Sequence, residues 1–235
     1  MKYKFNSKVR YSEVDTDNRL SIAGIVNYFQ DCSTFQSEAI GSGVEYANQI
    51  KKGWILSSWQ IIINERPVLG TEIQISTWAI KFKGLYGYRN FVLEDADGKV
   101  LAYAYSIWVY MDLEKKRPIR VSEDIVKGYG TDEPIEMEYA PRKIEIPDGF
   151  AAGDKFLVRK YQIDTNNHVN NSEYITIALE ALKEKPNVKE LRVEYRHSAI
   201  YGDCLYSAIA QEKDSTYIEL KSKDEDIYAI IEIKE

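Results

Sequence analysis

Hydrophobic residues recur every three or four positions between Ser21 and Ile40, a spacing typical of a helix with one buried face. The series stops at Gly41-Ser42-Gly43, where a helix is expected to end. A short strand starting near Lys4 is expected before this helix. After it, segments rich in β-branched and aromatic residues predict strands at 54–64, 72–82, 86–94 and 100–111.

The second half repeats this order on a shorter scale. A strand at 156–163 and a helix from about 171 to 183 precede predicted strands at 190–196, 204–210, 217–221 and 227–233. Residues 9–20 and 158–169 align at a constant offset of 149, with five of twelve positions identical. Because the same elements follow both segments, the sequence indicates an internal duplication. We expect an α+β fold of two tandem units, each with a helix packed on an antiparallel sheet.

A connector between the two units is predicted from composition. Pro134, Pro141 and Pro147 lie close together beside an acidic stretch at 132–138, which is typical of a linker. The predicted division is an N-terminal unit at 1–130, a linker at 131–152 and a C-terminal unit at 153–235.

Charge and hydropathy exclude several classes of protein. The 235 residues carry a net charge of −6, and the excess of acid lies in residues 131–235, with 14 basic against 22 acidic side chains. Nucleic-acid binding needs a basic surface, so nucleic acid is not expected as the main partner. The longest apolar-rich run, 101–111, is too short to span a bilayer as a helix, and no secretory signal is apparent. We expect a cytosolic protein without membrane insertion, with Cys32 and Cys204 as free thiols.

The candidate chemistry lies at the predicted start of the second helix. His168, one of two histidines in the chain, follows Asp164 by four residues and Asn166 by two. One turn could therefore bring a carboxylate, an amide and an imidazole into one cleft. The same spacing also fits helix capping, in which Asn170 and Glu173 would form a capping box.

The matching positions of the first half are Asp15, Asp17 and Arg19. This copy keeps a carboxylate but has neither the amide nor the imidazole. A purely structural role would more naturally persist in both copies, so the asymmetry favours one catalytic site, in the second unit.

Three stretches carry a resemblance to a known family: 164–174, with its Asn-x-His-Val-Asn-Asn-x-x-Tyr element, 191–196 and 106–111. They resemble the acyl-[acyl carrier protein] thioesterases, and the resemblance runs from about Phe5 to about Ile230. It implies two hotdog units, an acyl-chain pocket in the first, and hydrolysis of acyl carrier protein thioesters to free fatty acid, which ends chain elongation. It also implies that Asp164, Asn166 and His168 are catalytic.

Other residues near this motif are candidates for positioning the substrate. Asn170, Asn171 and Tyr174 follow His168 and either orient the substrate or cap and pack the helix. Plant members of the family carry Glu-Cys where this chain has Ser198 and Ala199. A Cys-His nucleophile at that place is therefore excluded. Any role of the glutamate must have passed to Asp164, to Ser198 through a bound water, or to His197.

Thioester hydrolysis needs an activated water and a stabilised oxyanion. The N–H groups of residues 168–171, at a helix start, are expected to supply the oxyanion donors. Asp164 or His168 would act as general base, or Asp164 would attack directly to form a mixed anhydride. The sequence leaves these routes open.

The expected partner is acyl carrier protein, presented as an acyl-phosphopantetheine substrate. The basic run at 115–120 is typical of a solvated loop, and the alternative is that it docks an acidic carrier protein. The candidate docking residues are Lys51, Lys52, Lys81, Lys83, Lys115, Lys116, Arg117 and Arg120. No cofactor or metal is expected, because the two histidines and two cysteines lack zinc-site spacing. Homodimerisation stays open. The alternatives are an acyl-CoA thioesterase of the 4-hydroxybenzoyl-CoA thioesterase type, a non-catalytic acyl-binding hotdog protein, and a hotdog dehydratase.

Overall fold

Each predicted long helix lies on an antiparallel sheet in a computed structural model, which describes residues 2–235. Close packing divides these residues into two units, the first comprising residues up to 57 with 63–139, and the second 58–62 with 140–235. The division predicted from the sequence, with an N-terminal unit at 1–130, a linker at 131–152 and a C-terminal unit at 153–235, stays a prediction. No helix in residues 2–235 is both long and apolar enough to cross a membrane.

The first unit contains the longer helix. In chain order its elements are β1 (Tyr3–Lys8), α1 (Ile22–Ala39), α2 (Val44–Ile50), β2 (Lys52–Ile63), β3 (Glu72–Lys83), β4 (Tyr86–Asp95), β5 (Val100–Asp112), β6 (Arg117–Pro118) and α3 (Glu123–Tyr129). Strands β1, β3, β4 and β5 pair in that order, and β6 pairs with the end of β5. Residues 58–62 of β2 belong to the second unit.

Helix α1 follows the apolar spacing of its sequence closely. The Ser21 hydroxyl accepts a hydrogen bond from the Gly24 N–H (2.9 Å) and caps its start. Its buried face packs on β3, and the Phe29 ring lies 5.3 Å from that of Phe91 in β4. Burial of a side chain such as Phe29 stabilises the fold by about 1.5–3 kcal/mol. Gly41, with φ of 72°, ends the helix as predicted.

The second unit repeats the arrangement with shorter elements. These are β7 (Ala151–Leu157), α4 (Asn171–Glu180), β8 (Glu190–Tyr195), β9 (Cys204–Glu212), β10 (Ser215–Lys221) and β11 (Ile227–Lys234). The strand order is β8-β11-β10-β9-β7, and residues 58–62 of β2 pair with β8. Helix α4 packs on β10 and β11.

Two predictions for this unit were wrong in detail. The strand predicted at 156–163 ends at Leu157, and residues 160–162 form a 3₁₀ turn instead. Here the Gln162 side chain accepts a hydrogen bond from the Arg159 N–H (2.8 Å), which favours the turn over an extended strand. Helix α4 ends at Glu180 rather than near 183, because the Leu182 N–H bonds to the Leu179 carbonyl in a tighter turn.

Candidate active site

Residues 164–168 form a tight loop between the 3₁₀ turn and α4. Ile163 and Val169 pair as an isolated antiparallel bridge, and the Asp164 N–H donates to the His168 carbonyl at 2.8 Å. Asn167 has φ of 61°, a left-handed conformation that asparagine tolerates better than most residues. The loop therefore has one defined backbone shape, with Asp164 and His168 at its two ends.

The Asp164 carboxylate organises this loop. Its Oδ1 accepts the N–H groups of Asn166 (2.8 Å) and His168 (3.3 Å), and its Oδ2 lies 3.4 Å from the Asn166 amide nitrogen. The bond from His168 comes from its backbone, and its ring is exposed, as is the Asn166 side chain. Asp164 itself is half-buried. The structure thus brings together the three residues predicted to be catalytic.

Asn170 is the N-cap residue of α4. Its Oδ1 accepts from both the N–H (3.1 Å) and the hydroxyl (3.2 Å) of Ser172. The predicted capping box is not formed, because Glu173 accepts a hydrogen bond from the Gln162 amide (3.0 Å) instead.

The expectation that N–H groups at 168–171 bind an oxyanion is wrong for most of this segment. The His168 N–H points at Asp164, that of Val169 donates to the Ala199 carbonyl (2.9 Å), and that of Asn170 donates to the Gln162 carbonyl (2.9 Å). These donors hold the loop in place and are not directed at a substrate. A side chain such as the exposed Asn166 amide is a better candidate for an oxyanion donor.

Tyr174 connects α4 to the segment that carries Ser198. It is only 2% exposed, and its hydroxyl oxygen accepts the Ala199 N–H at 2.7 Å. Burial raises the pKa of Tyr174 to about 12, so the phenol is protonated at neutral pH. Its ring packs edge-on against Tyr195, whose hydroxyl donates to the Asn171 carbonyl (2.9 Å). Tyr174 therefore fixes the backbone next to Ser198.

The other candidate residues lie around the end of β8. Ser198 and His197 are exposed, and His197 Nδ1 lies 2.9 Å from the Ile227 carbonyl, which orients the ring. Cys204 is half-buried at the start of β9, whereas the sequence predicted core packing. Within residues 2–235, no three His, Cys, Asp or Glu side chains are close enough to hold a metal ion.

The first unit contains a second copy of the loop in which four backbone hydrogen bonds recur. The recurring pairs are Asp15 N–H to Arg19 carbonyl (2.8 Å), Asn18 N–H to Asp15 carbonyl (2.9 Å), Ser21 N–H to Glu13 carbonyl (2.9 Å) and Leu20 N–H to Pro67 carbonyl (2.8 Å). Asn18, which matches Asn167, has φ of 60°. The last pair corresponds to the bond from the Val169 N–H to the Ala199 carbonyl in the second unit. Pro67 is therefore the counterpart of Ala199, and Arg66, one residue earlier, is the counterpart of Ser198.

The side chains make the two copies different. Arg66 donates to the Asp15 carboxylate (2.8 Å), pairs with Asp17, and donates to the Leu20 carbonyl (3.2 Å). In the second copy the position of Arg66 holds Ser198, and no Lys or Arg of residues 2–235 lies within 4 Å of the Asp164 carboxylate. Arg66 could not be found from the repeat in the sequence, because that repeat relates residues 9–20 to 158–169 at an offset of 149. The segment that contains Arg66 corresponds to the segment that contains Ser198 at an offset of 132.

We expect Ser198→Arg to reduce turnover about 10-fold or more, because the new guanidinium would pair with Asp164 as Arg66 pairs with Asp15. The measurement is kcat for thioester cleavage. The reciprocal variant, Arg66→Ser, should lower the free energy of unfolding by about 1 kcal/mol at this partly exposed pair without lowering kcat. Unchanged turnover in Ser198→Arg would show that an arginine at this position does not inactivate the site at Asp164.

Cys204→Ser should leave turnover within about 2-fold of wild type, because Cys204 lies in the strand pairing of β9 with β7 and not in the 164–168 loop. Steady-state hydrolysis of one acyl thioester by both proteins tests this. A large loss of turnover with unchanged thermal unfolding would instead indicate thiol catalysis.

Family models and known proteins agree on the relationship of this chain. Residues 1–129 match the acyl-ACP thioesterase N-terminal domain, and residues 149–234 match the acyl-ACP thioesterase C-terminal domain. The acyl-[acyl-carrier-protein] hydrolase FATB3 of Cuphea viscosissima is 26% identical over 227 residues, covering 89% of this chain and 55% of the relative. The chain thus spans about half the length of such relatives.

Solved structures show the same fold. An acyl-ACP thioesterase from Bacteroides thetaiotaomicron superposes with a TM-score of 0.89 at 23% identity, covering 99% of this chain and 97% of the other. The 12:0-ACP thioesterase from Umbellularia californica gives 0.83 at 17% identity, covering 99% and 96%. The predicted α+β class with two hotdog units is confirmed. By its match over both domains, the chain is a member of the acyl-ACP thioesterase family.

Proposed function

We propose that this chain hydrolyses the thioester of acyl-[acyl carrier protein] and releases a free fatty acid, which ends chain elongation. One observation carries the proposal within the family relationship: of two loops with similar backbones, only the second has a carboxylate without a guanidinium partner in the same loop as an exposed histidine and an exposed asparagine.

The chemistry follows from this arrangement. Water adds to the thioester carbonyl carbon, the C–S bond breaks, and the thiol leaves with a proton. Asp164 or His168 takes the proton from water as general base, a contribution of about 10²–10⁴ in rate. Alternatively, the Asp164 carboxylate attacks the carbonyl carbon and displaces the thiol to form an anhydride, which water then cleaves to the fatty acid and the free carboxylate. The Asn166 amide is exposed at the same loop and is suited to donate to the developing oxyanion.

The acyl chain is proposed to bind in the first unit. Support comes from an aromatic cluster in that unit, in which the Trp54 ring lies 4.9 Å from Tyr110, 5.9 Å from Phe82 and 6.4 Å from Tyr129. Apolar aromatic walls are typical of sites that bind hydrocarbon chains.

The carrier protein is proposed to dock through exposed basic residues of the first unit. The Leu113 N–H donates to the Lys51 carbonyl (2.8 Å), which joins the start of β2 to the turn that contains Lys115 and Lys116. These three lysines are exposed. Their positive charge complements an acidic partner. A cytosolic location stays a prediction.

The test compares hydrolysis of one acyl group carried either by acyl carrier protein or by CoA, followed as release of free thiol. The proposal predicts a higher kcat/KM for the carrier-bound substrate. An equal or higher value for CoA would favour the acyl-CoA thioesterase. Binding of both substrates without thiol release would overturn hydrolysis and favour an acyl-binding protein or a dehydratase.

A further inference from the structure

The turn that follows Arg66 closes the loop of the first unit. The Leu69 N–H donates to the Asn18 carbonyl at 3.1 Å, and Arg19 pairs with Val68 as an isolated antiparallel bridge. The backbone groups at this edge of the loop are therefore hydrogen-bonded within the first unit.

The second unit contains the same turn. The Asp203 N–H donates to the Ile200 carbonyl (3.1 Å), as the Thr71 N–H donates to that of Val68 (3.1 Å). Gly202 has φ of 90° and Gly70 has φ of 84° at the third position of the two turns. The last residue of each turn accepts a matching bond: the Val158 N–H donates to the Asp203 carbonyl (2.9 Å), and the Val9 N–H donates to the Thr71 carbonyl (3.0 Å). Tyr201 is thus the counterpart of Leu69.

The bond that closes the first loop is missing from the second. Neither the Tyr201 N–H nor the Asn167 carbonyl has a hydrogen-bond partner within residues 2–235, and no bridge joins His168 to Ile200 there. Tyr201 is 57% exposed and Ile200 is 50% exposed. Backbone donors and acceptors require a partner, which an open edge takes from water or from a ligand.

This open edge borders the candidate catalytic groups. Asn167 lies between Asn166 and His168, and Tyr201 is three residues beyond Ser198. A donor on one side and an acceptor on the other is the pattern by which extended chains add to an exposed strand edge. The chemical group that satisfies both is a secondary amide.

We propose that the Tyr201 N–H and the Asn167 carbonyl form the binding site for the amide-bearing pantetheine arm of the substrate. The Tyr201 N–H donates to an amide carbonyl of the arm, and the Asn167 carbonyl accepts an amide N–H. The first unit, in which these positions bond to each other, binds no arm. This inference rests on the proposed thioesterase function and specifies how its substrate is held.

The experiment measures kcat/KM for the same acyl group on pantetheine and on 2-mercaptoethanol, which has no amide. Tyr201→Pro removes the N–H at the second position of a turn with glycine at the third, where proline is favoured. We expect it to lower the pantetheine to mercaptoethanol ratio about 10-fold, the value of one hydrogen bond of about 1.4 kcal/mol. The ratio is independent of the fraction of folded enzyme.

Two further variants identify the group responsible. Leu69→Pro removes the matching N–H from the first unit and should leave the ratio at its wild-type value, as should Tyr201→Ala, which keeps the N–H. An unchanged ratio in Tyr201→Pro, or an equal fall in Leu69→Pro, would overturn the inference while wild-type hydrolysis persists. Failure of the wild type to cleave either thioester would instead overturn the proposed function.

Discussion

Asp164→Asn is expected to lower kcat for thioester hydrolysis by at least about 10²-fold, the range of a general base. The amide oxygen of asparagine can still accept the N–H groups of Asn166 and His168, so the loop keeps its shape. The variant loses the negative charge, which Asp164 would need as a base or as a nucleophile, and with it the Oδ2 acceptor that lies 3.4 Å from the Asn166 amide nitrogen. Release of free thiol from an acyl-carrier substrate measures the effect.

Thermal unfolding of the same protein separates catalysis from stability. An unchanged unfolding temperature together with the loss of turnover would assign the charge to the reaction. Near-wild-type turnover in Asp164→Asn would mean that this carboxylate serves only to cap the loop.

His168→Ala is expected to lower kcat by a similar factor, at least about 10². The Asp164 carboxylate is held by the backbone N–H of His168, which alanine retains, and the ring itself is exposed. The substitution therefore removes the imidazole from the site with little effect on the loop. Steady-state kinetics at saturating substrate are the appropriate measurement.

The first unit supplies a matched control for this substitution. Arg19 occupies the place of His168, and its side chain donates to the Arg66 carbonyl at 2.7 Å. Arg19→Ala should therefore affect unfolding and not kcat. Full turnover in His168→Ala, or an equal loss of kcat in Arg19→Ala, would exclude a specific role for the imidazole.

The two long helices and most of the strands could be predicted from local sequence because their apolar spacing is regular. Helix α1 was predicted within a residue at each end, since Ser21 caps it and Gly41 ends it. The seven-residue helices α2 and α3 were missed, because such short segments show no clear periodicity. For α3, the Ser122 cap followed by Glu123 and Asp124 was an available signal.

The candidate site could be predicted only in part. The spacing of Asp164, Asn166 and His168 predicted that they share one loop, because all three are close in sequence. The Val169 N–H donates to the Ala199 carbonyl, and the Asn170 N–H donates to the Gln162 carbonyl. The bond to Ala199 joins residues that are distant in sequence, so only the tertiary structure reveals it. The same holds for Arg66, which is distant in sequence from the aspartates it binds.

The most direct test of a single catalytic loop is free-thiol release from one acyl-carrier substrate by the wild type, Asp164→Asn and Asp15→Asn in parallel. Asp15 is the counterpart of Asp164 and pairs with Arg66 (2.8 Å). We predict equal release by the wild type and Asp15→Asn, and release at least about 10²-fold slower by Asp164→Asn. Equal losses in both variants, or full activity in Asp164→Asn, would contradict catalysis by the second loop alone.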